Sequence, residues 1–220
     1  CLGTVGPGAV DLVPGVYEAF VNSIPIVVLT CQNQTWRSYP DHGSTQGCNQ
    51  IDLFRPITKW SAVVSHWSRI APLVQEAFRM ALTGRPGPVH LDLPVDVLFD
   101  EGDEEEVRIL PPARYRPTSP ASADPELVRQ AAEMLAHAQT PLIYAGGGVL
   151  RAGASQEVQH LAEFLGCPVT TSVTARGAVP EDDPHCLISI GFGGLAARNQ
   201  ADVVLVLGCL QRLLDHAHAG

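Results

Sequence analysis

Short apolar runs and helix-like stretches alternate along this chain, and that rhythm limits its fold more than any other feature of the sequence. In the first half, residues 26–29 are a β-branched run entered from proline, and residues 89–93 are a second short strand signal that also follows a proline. Between them, the apolar residues of 70–82 recur at helical spacing and place one apolar face on a helix. Strand, helix and strand in this order predict a parallel sheet covered by helices.

The second half repeats the rhythm. A strand signal at 141–145 leads into a three-glycine loop, and a helical pattern follows near 155–165. Further strand signals lie at 168–171 and 202–207. Together they predict a Rossmann-like sheet, which we expect to be incomplete at its end. The predicted fold class is therefore α/β, with two parallel-sheet domains that carry helices on both faces.

An acidic, proline-rich stretch separates the two halves. Residues 96–123 carry an acidic run and several prolines, which favour a solvated connection over a helix or strand. Asp124 then has the character of a helix N-cap, with Pro125 at the first helical position. We therefore predict one domain over 1–95, a linker over 96–123 and a second domain over 124–220.

Composition excludes several classes of protein. The 220 residues carry a net charge of −9, which opposes the phosphate contacts that dominate nucleic-acid binding. No apolar run approaches the roughly 20 residues that cross a bilayer. The chain also begins at Cys1 without an initiator Met, so we expect the natural start to lie upstream. A cytoplasmic location fits six cysteines without a C-x-x-C pair: Cys1, Cys31, Cys48, Cys167, Cys186 and Cys209.

Two glycine turns are the candidate ligand sites. Gly146, Gly147 and Gly148 stand between a strand and a helix, where backbone amides can approach a phosphate. Their spacing is not G-x-G-x-x-G, so a tight turn without a ligand explains them equally well. The second turn, residues 6–9, follows a short strand, and ligands dock at that edge of open α/β sheets. A purely structural turn again fits equally well.

The histidines suggest no metal site. His42 lies in a turn-rich segment, and His216 and His218 form an H-x-H pair near the end. None has partners at metal-like spacing, so solvated or hydrogen-bonded histidines are the favoured interpretation. A G-x-S-x-G nucleophile turn is also absent from the sequence.

Several segments of the first half resemble the pyrimidine-binding domain of thiamine-diphosphate enzymes of the acetolactate synthase type. Residues 4–9, Thr-Val-Gly-Pro-Gly-Ala, resemble that family's T-S-G-P-G-A stretch, and 24–27 resemble the strand after it. Residues 55–60 and 84–94 are similar to the segments that close the domain. The latter, Gly-Arg-Pro-Gly-Pro-Val-His-Leu-Asp-Leu-Pro, is the most specific of these signals.

The second half is similar to the central domain of the same family. The similarity lies in 141–148 as first strand and glycine loop, 175–177 after another strand, and 201–208 as a later strand. The resemblance covers nearly the whole chain. It implies a partial pyrimidine-binding domain followed by a partial Rossmann-like central domain.

The resemblance also implies a chemistry. Such enzymes decarboxylate a 2-oxo acid on thiamine diphosphate with Mg²⁺ and join the two-carbon unit to a second carbonyl, and some bind FAD in the central domain. By similarity, Gly6, Pro7, Gly8 and Ala9 would lie beside the pyrimidine ring, and Gln46 near the substrate entrance. The glycine loop would contact FAD or another nucleotide.

Parts of the family's active site are not in this sequence. The catalytic glutamate is expected upstream of the chain, and the magnesium-binding G-D-G…N segment does not occur before Gly220. We therefore assign no catalytic residue and expect the isolated chain to be inactive. The resemblance implies a homodimer or homotetramer for the complete enzyme.

Two residues depart from the family pattern, and two alternative functions remain open. Asp11 stands where the family has Asn, and Val95 where many members have a lysine, which leaves substrate choice open. One alternative is a non-catalytic nucleotide-binding or scaffolding module. The other is an NAD-dependent oxidoreductase, for which the glycine loop is the only argument.

Overall fold

The computed structural model describes residues 1–117, 119, 122–187 and 192–209. In it the chain divides into two compact units, Cys1–Pro120 and Ala121–Gly220. Each unit contains a parallel sheet with helices, which confirms the predicted fold class. The domain boundaries expected from the sequence stay a prediction.

The first unit is built on a parallel sheet with strand order β1-β2-β4-β3. Its strands are β1 (Leu2–Gly3), β2 (Val27–Gln32), β3 (Ser61–Val63) and β4 (Val89–Pro94). Its helices are α1 (Pro7–Asp11), α2 (Val13–Val21), α3 (Thr35–Ser38), α4 (Gln50–Phe54), α5 (Ile70–Leu82) and α6 (Val95–Phe99). Single 3₁₀ turns occupy Arg55–Ile57, Trp67–Arg69, Glu104–Glu106 and Pro112–Arg114.

Helices cover both faces of this sheet. Val28 packs in one cluster with Val16 of α2 and Phe54 of α4. Its neighbour Val27 packs on the opposite face, in the cluster that contains Ala77 of α5. Successive strand residues point to opposite faces, so the apolar residues that open β2 contact helices on both sides of the sheet.

The second unit repeats this design with strand order β7-β6-β5-β8. Its strands are β5 (Pro141–Ala145), β6 (Val169–Thr171), β7 (Cys186–Leu187) and β8 (Val203–Leu207). Its helices are α7 (Pro125–His137), α8 (Gly147–Ala152), α9 (Ser155–Leu165) and α10 (Phe192–Gln200), with a 3₁₀ turn at Val173–Ala175. The Asp124 side chain caps α7 as predicted, by accepting a 2.8 Å hydrogen bond from the Glu126 amide.

The apolar spacing on α7 overstates the face that this helix buries. Leu135 is buried, but Leu127 and Met134 are each 62% exposed and Val128 is 54% exposed. Exposed single hydrophobic residues are common on protein surfaces, so the pattern alone does not fix the buried face. None of the described helices is both long and apolar enough to span a bilayer.

Candidate functional site

The carboxyl ends of the parallel strands bring the candidate residues of the first unit to one edge of its sheet. The turn 6–9 follows β1, the segment that contains Gln46 comes after β2, and Val95 follows β4 directly. Since β1, β2 and β4 are parallel neighbours, these segments start from the same edge. Ligands of open α/β sheets bind at that edge.

Gly6 and Gln46 are in direct contact. Gly6 has φ 62°, and a Cβ placed there would lie 2.2 Å from the backbone oxygen of Gln46. Only glycine therefore fits at this position. Gln46 itself has φ 62°, which is a strained backbone conformation for a residue with a side chain.

The other residues of the turn 6–9 differ in their exposure to solvent. Ala9 is fully buried, whereas Pro7, at the first position of α1, is exposed. Gly8 is half-buried, and a Cβ there would come within 2.5 Å of the Thr4 Cγ2. Pro7 and Gly8 are therefore the parts of the turn that a ligand can reach, while Gly6 and Ala9 hold its shape.

A fully buried glutamine, Gln50, holds the turn 6–9 in place. The Gly6 amide donates a 2.9 Å hydrogen bond to Gln50 Oε1. Gln50 Nε2 in turn donates to Asp92 Oδ1 at 2.6 Å and to the Cys31 carbonyl at 3.0 Å. Gln50 thus joins α4, the turn and strands β2 and β4. The sequence reasoning missed this residue, because Gln50 is the first residue of the short helix Gln-Ile-Asp-Leu-Phe and its local sequence does not mark it as buried.

Asp92 is the centre of a buried polar network. Besides Gln50, its carboxylate accepts hydrogen bonds from Thr30 Oγ1 at 2.8 Å, from Gln32 Nε2 at 3.2 Å and from the Tyr39 hydroxyl. Burial raises the pKa of Asp92, and these donors oppose that shift by stabilising the carboxylate. Burial and the facing carboxylate raise the pKa of Tyr39, so the phenol keeps its proton.

His90 extends the network along β4. Its Nε2 lies 2.8 Å from Thr30 Oγ1 and its Nδ1 lies 2.7 Å from Ser61 Oγ. The single Thr30 hydroxyl proton goes to Asp92, so His90 Nε2 carries the hydrogen and Nδ1 accepts from Ser61. Burial lowers the pKa of His90 to about 4, in agreement with a neutral ring.

The buried network holds the turn 6–9 in position, and few chemically reactive side chains are exposed beside it. The Gln46 side chain is exposed, so a ligand can reach it. Among the described residues, no group of three or more His, Cys, Asp and Glu side chains is placed to hold a metal ion. His42 and Asp11 are exposed, and Val95 is half-buried at the start of α6. His216 and His218 lie outside the described residues.

The glycine loop of the second unit is shaped by close packing of backbone. The Gly146 amide donates to the Leu207 carbonyl at 2.7 Å, and the Gly148 amide donates to the Gly208 carbonyl at 2.9 Å. A Cβ on Gly148 would lie 2.7 Å from the Gly208 Cα. The glycines therefore allow the loop to approach the end of β8, and two of their three amides are already used.

A cavity of about 380 Å³ adjoins this loop. Its walls include Gly148, Gly208 and apolar side chains such as Val149 and Leu161. A phosphate needs several free donors that converge on it, and this loop offers few. The loop therefore fits a phosphate poorly, whereas the adjoining cavity suits an apolar group.

Two family models match the chain. The thiamine pyrophosphate enzyme N-terminal TPP binding domain matches residues 1–53, and the thiamine pyrophosphate enzyme central domain matches residues 128–218.

Individual acetolactate synthases are also similar to this chain. The "Probable acetolactate synthase large subunit" of Methanocaldococcus jannaschii is 39% identical over 218 residues, which are 95% of this chain and 36% of that protein. The acetolactate synthase of Mycobacterium bovis is 36% identical over 213 residues, 94% of this chain and 34% of its own length. The acetolactate synthase large subunit of Buchnera aphidicola subsp. Schizaphis graminum is 34% identical over 213 residues, 94% of this chain and 37% of its own. The chain thus spans about a third of the length of these relatives.

Proposed function

The chain belongs to the thiamine pyrophosphate enzyme family, and from this premise we propose that its first unit supplies the pyrimidine-binding side of an acetolactate-synthase-like active site. The reaction would decarboxylate a 2-oxo acid such as pyruvate and transfer the two-carbon unit to a second carbonyl. The observation that carries this proposal is the contact between the Gly6 turn and Gln46 at the carboxyl edge of the sheet. The similarity to acetolactate synthases over nearly the whole chain supports the choice of reaction.

The residues of the site divide into contacting and supporting groups. The exposed Pro7 and the half-buried Gly8 offer an edge against which an aromatic pyrimidine can lie, while Gly6 and Ala9 hold that edge in place. Gln46 presents an exposed amide that can donate to a substrate carboxylate or carbonyl. Thiamine diphosphate supplies the electron sink when it is bound. The protein keeps the surface rigid through the buried Gln50, which limits the ordering cost of binding.

Mg²⁺ and FAD fit the described residues differently. Mg²⁺ enters the proposal as the partner of the cofactor's diphosphate, and no cluster of metal-type side chains in the described ranges is placed to bind it. FAD enters with less support, because Gly146 and Gly148 direct their amides to backbone carbonyls of their own unit. The proposed reaction therefore assigns no step to FAD.

A substitution at Gln46 tests the proposal. In the protein that carries this chain, we expect acetolactate to form from pyruvate only when thiamine diphosphate and Mg²⁺ are present. Gln46→Leu should lower kcat/KM for pyruvate about tenfold, because one hydrogen bond to a charged substrate is lost, and should leave the affinity for thiamine diphosphate unchanged. Val21→Leu, on the exposed side of α2, is the matched control. Turnover that needs no thiamine diphosphate, or an unchanged kcat/KM in Gln46→Leu, would contradict the proposal.

The assembly and location are part of the same proposal. We infer a homodimer or homotetramer in the cytoplasm, because family members complete their site with a second subunit. Sedimentation of the complete protein with thiamine diphosphate should show two or four copies. A monomer that is fully active would disprove this part.

A further inference from the structure

A second concave site lies in the first unit, between α5 and the segment 108–115. The cavity has a volume of about 280 Å³. Three arginines reach it, Arg79 from α5 and Arg108 and Arg114 from the connecting segment. The residues of this site are distant in sequence from the Gly6 turn, and the site does not depend on the proposed function.

The charge at this cavity is opposite to that of the chain as a whole. The protein has a net charge of −9 and 14 Lys and Arg residues in total, and three of these line one cavity. Glu76 also lines the cavity, and Arg79 pairs with it. Arg108 and Arg114 form no ion pair within the ranges that the structure describes, although an acidic run lies just before them in sequence. The cavity thus keeps two uncompensated positive charges, and a concave wall focuses their field on an anion.

The connecting segment is held against α5 by specific contacts. Gln75 Nε2 donates to the Arg108 carbonyl at 3.1 Å. The rings of Phe78 and Tyr115 pack with their centroids 6.3 Å apart. These contacts hold the backbone that carries Arg108 and Arg114 against α5 before any ligand binds, which reduces the entropy lost on binding.

The walls also indicate what accompanies the anion. Leu110, Pro72 and the ring of Tyr115 line the same cavity as the arginines. A guanidinium donates two parallel N–H groups to a phosphate, and a dianion matches two uncompensated cations. We infer that this cavity binds a small organic phosphate, with the phosphate on Arg108 and Arg114 and the apolar part on Tyr115 and Leu110.

Calorimetry with phenyl phosphate and with inorganic phosphate tests this inference on the 220-residue chain. We expect one saturable site for phenyl phosphate that binds more tightly than inorganic phosphate. Arg108→Gln and Arg114→Gln should each weaken phenyl phosphate binding about tenfold, because each removes one charged hydrogen-bonding group. Arg129→Gln is the control, since it removes the same charge from an exposed side chain on α7.

Several results would overturn the inference. The site does not exist if phenyl phosphate shows no saturable binding, or if Arg129→Gln weakens binding as much as the other variants. If inorganic phosphate binds as tightly as phenyl phosphate, the apolar wall has no role and the assignment to an organic phosphate is wrong. Because Arg108 and Arg114 are exposed, an unchanged melting temperature in each variant separates loss of binding from loss of folding.

Discussion

The two units share a parallel-sheet design but differ in what the centre of the sheet contains. The first unit buries polar side chains on its two central strands: Thr30, Gln32, His90 and Asp92. Of the two central strands of the second unit, β5 is apolar apart from the hydroxyl of Tyr144, and β6 buries the hydroxyl-bearing side chains of Thr170 and Thr171. Burying polar groups costs free energy unless each is hydrogen-bonded, and in the first unit they are bonded to one another. The first unit therefore differs from the second in that its buried polar side chains form one hydrogen-bonded network, which reaches the Gly6 turn at the edge of the sheet.

The glycine turns show the same difference. The Gly6 amide donates to a side chain, Gln50, which in turn contacts the buried carboxylate Asp92. The amides of Gly146 and Gly148 donate to main-chain carbonyls at the end of β8. The first turn is thus tied to a network that a mutation or a change in pH can alter. Within the described residues, the second is held by hydrogen bonds between backbone groups.

Removal of Asp92 should have the largest effect. Asp92→Ala removes the shared acceptor of three buried donor groups, the Thr30 hydroxyl and the side-chain amides of Gln32 and Gln50, so we expect the free energy of unfolding to fall by about 3–5 kcal/mol. Urea unfolding followed by tryptophan fluorescence measures it.

This readout reports the first unit, since the three tryptophans of the chain, Trp36, Trp60 and Trp67, all lie there. Asp96→Ala is the matched control, because Asp96 accepts hydrogen bonds from Thr35 at a solvent-exposed position. It should cost no more than about 1 kcal/mol. Equal losses in the two variants would show that the buried network has no special role.

Gly148 tests whether the second turn depends on backbone packing. Gly148→Ala would place a Cβ 2.7 Å from the Gly208 Cα, so we expect a loss of about 2 kcal/mol in thermal or urea unfolding followed by far-UV circular dichroism. Gly193→Ala in α10 is the control, because no atom lies within 4 Å of a Cβ there. Alanine is favoured over glycine in a helix, so the control should gain up to about 1 kcal/mol. A gain in both variants would disprove the packing argument.

The pH dependence of the first unit should follow His90. The pKa of His90 is lowered to about 4 in the folded protein, below its ordinary value of 6.5. The neutral His90 ring therefore contributes its full stabilisation above pH 6.5, and this contribution is lost as the pH falls towards 4. Between pH 7 and pH 5 this loss amounts to about 2 kcal/mol. His90→Gln, which keeps an amide in the network but does not titrate, should lack it. Parallel pH profiles of the two proteins would show that His90 is not the group responsible.

The sequence predicts the longer elements of this fold well. The helix expected near 155–165 is α9, and the apolar periodicity of 70–82 is α5, because amphipathic spacing over several turns is a strong local signal. Short edge strands were missed. Strands β3 and β7 have three and two residues, which is too short for any alternation to be read.

The candidate site was only partly predictable. Motif resemblance brought out Gly6 and Gln46, and the structure places them in contact. Gln50 and Asp92 could not be linked from the sequence, since they are 42 residues apart and meet only where helix α4 packs on strand β4. The ligand-binding roles of Gly6 and Gln46 stay predictions.

The smallest predicted effect comes from Thr170, a buried polar side chain in the second sheet. Thr170 is fully buried on β6, and its hydroxyl is without a hydrogen-bond partner in the described part of the chain. Thr170→Val keeps the shape and removes the unsatisfied oxygen, so we expect a gain of about 1 kcal/mol in unfolding followed by circular dichroism. Thr30→Val, in the satisfied network of the first unit, should instead destabilise. A loss in Thr170→Val would mean that the hydroxyl has a partner, such as a buried water, and that both sheets obey one rule: a buried polar group is kept only where it is bonded.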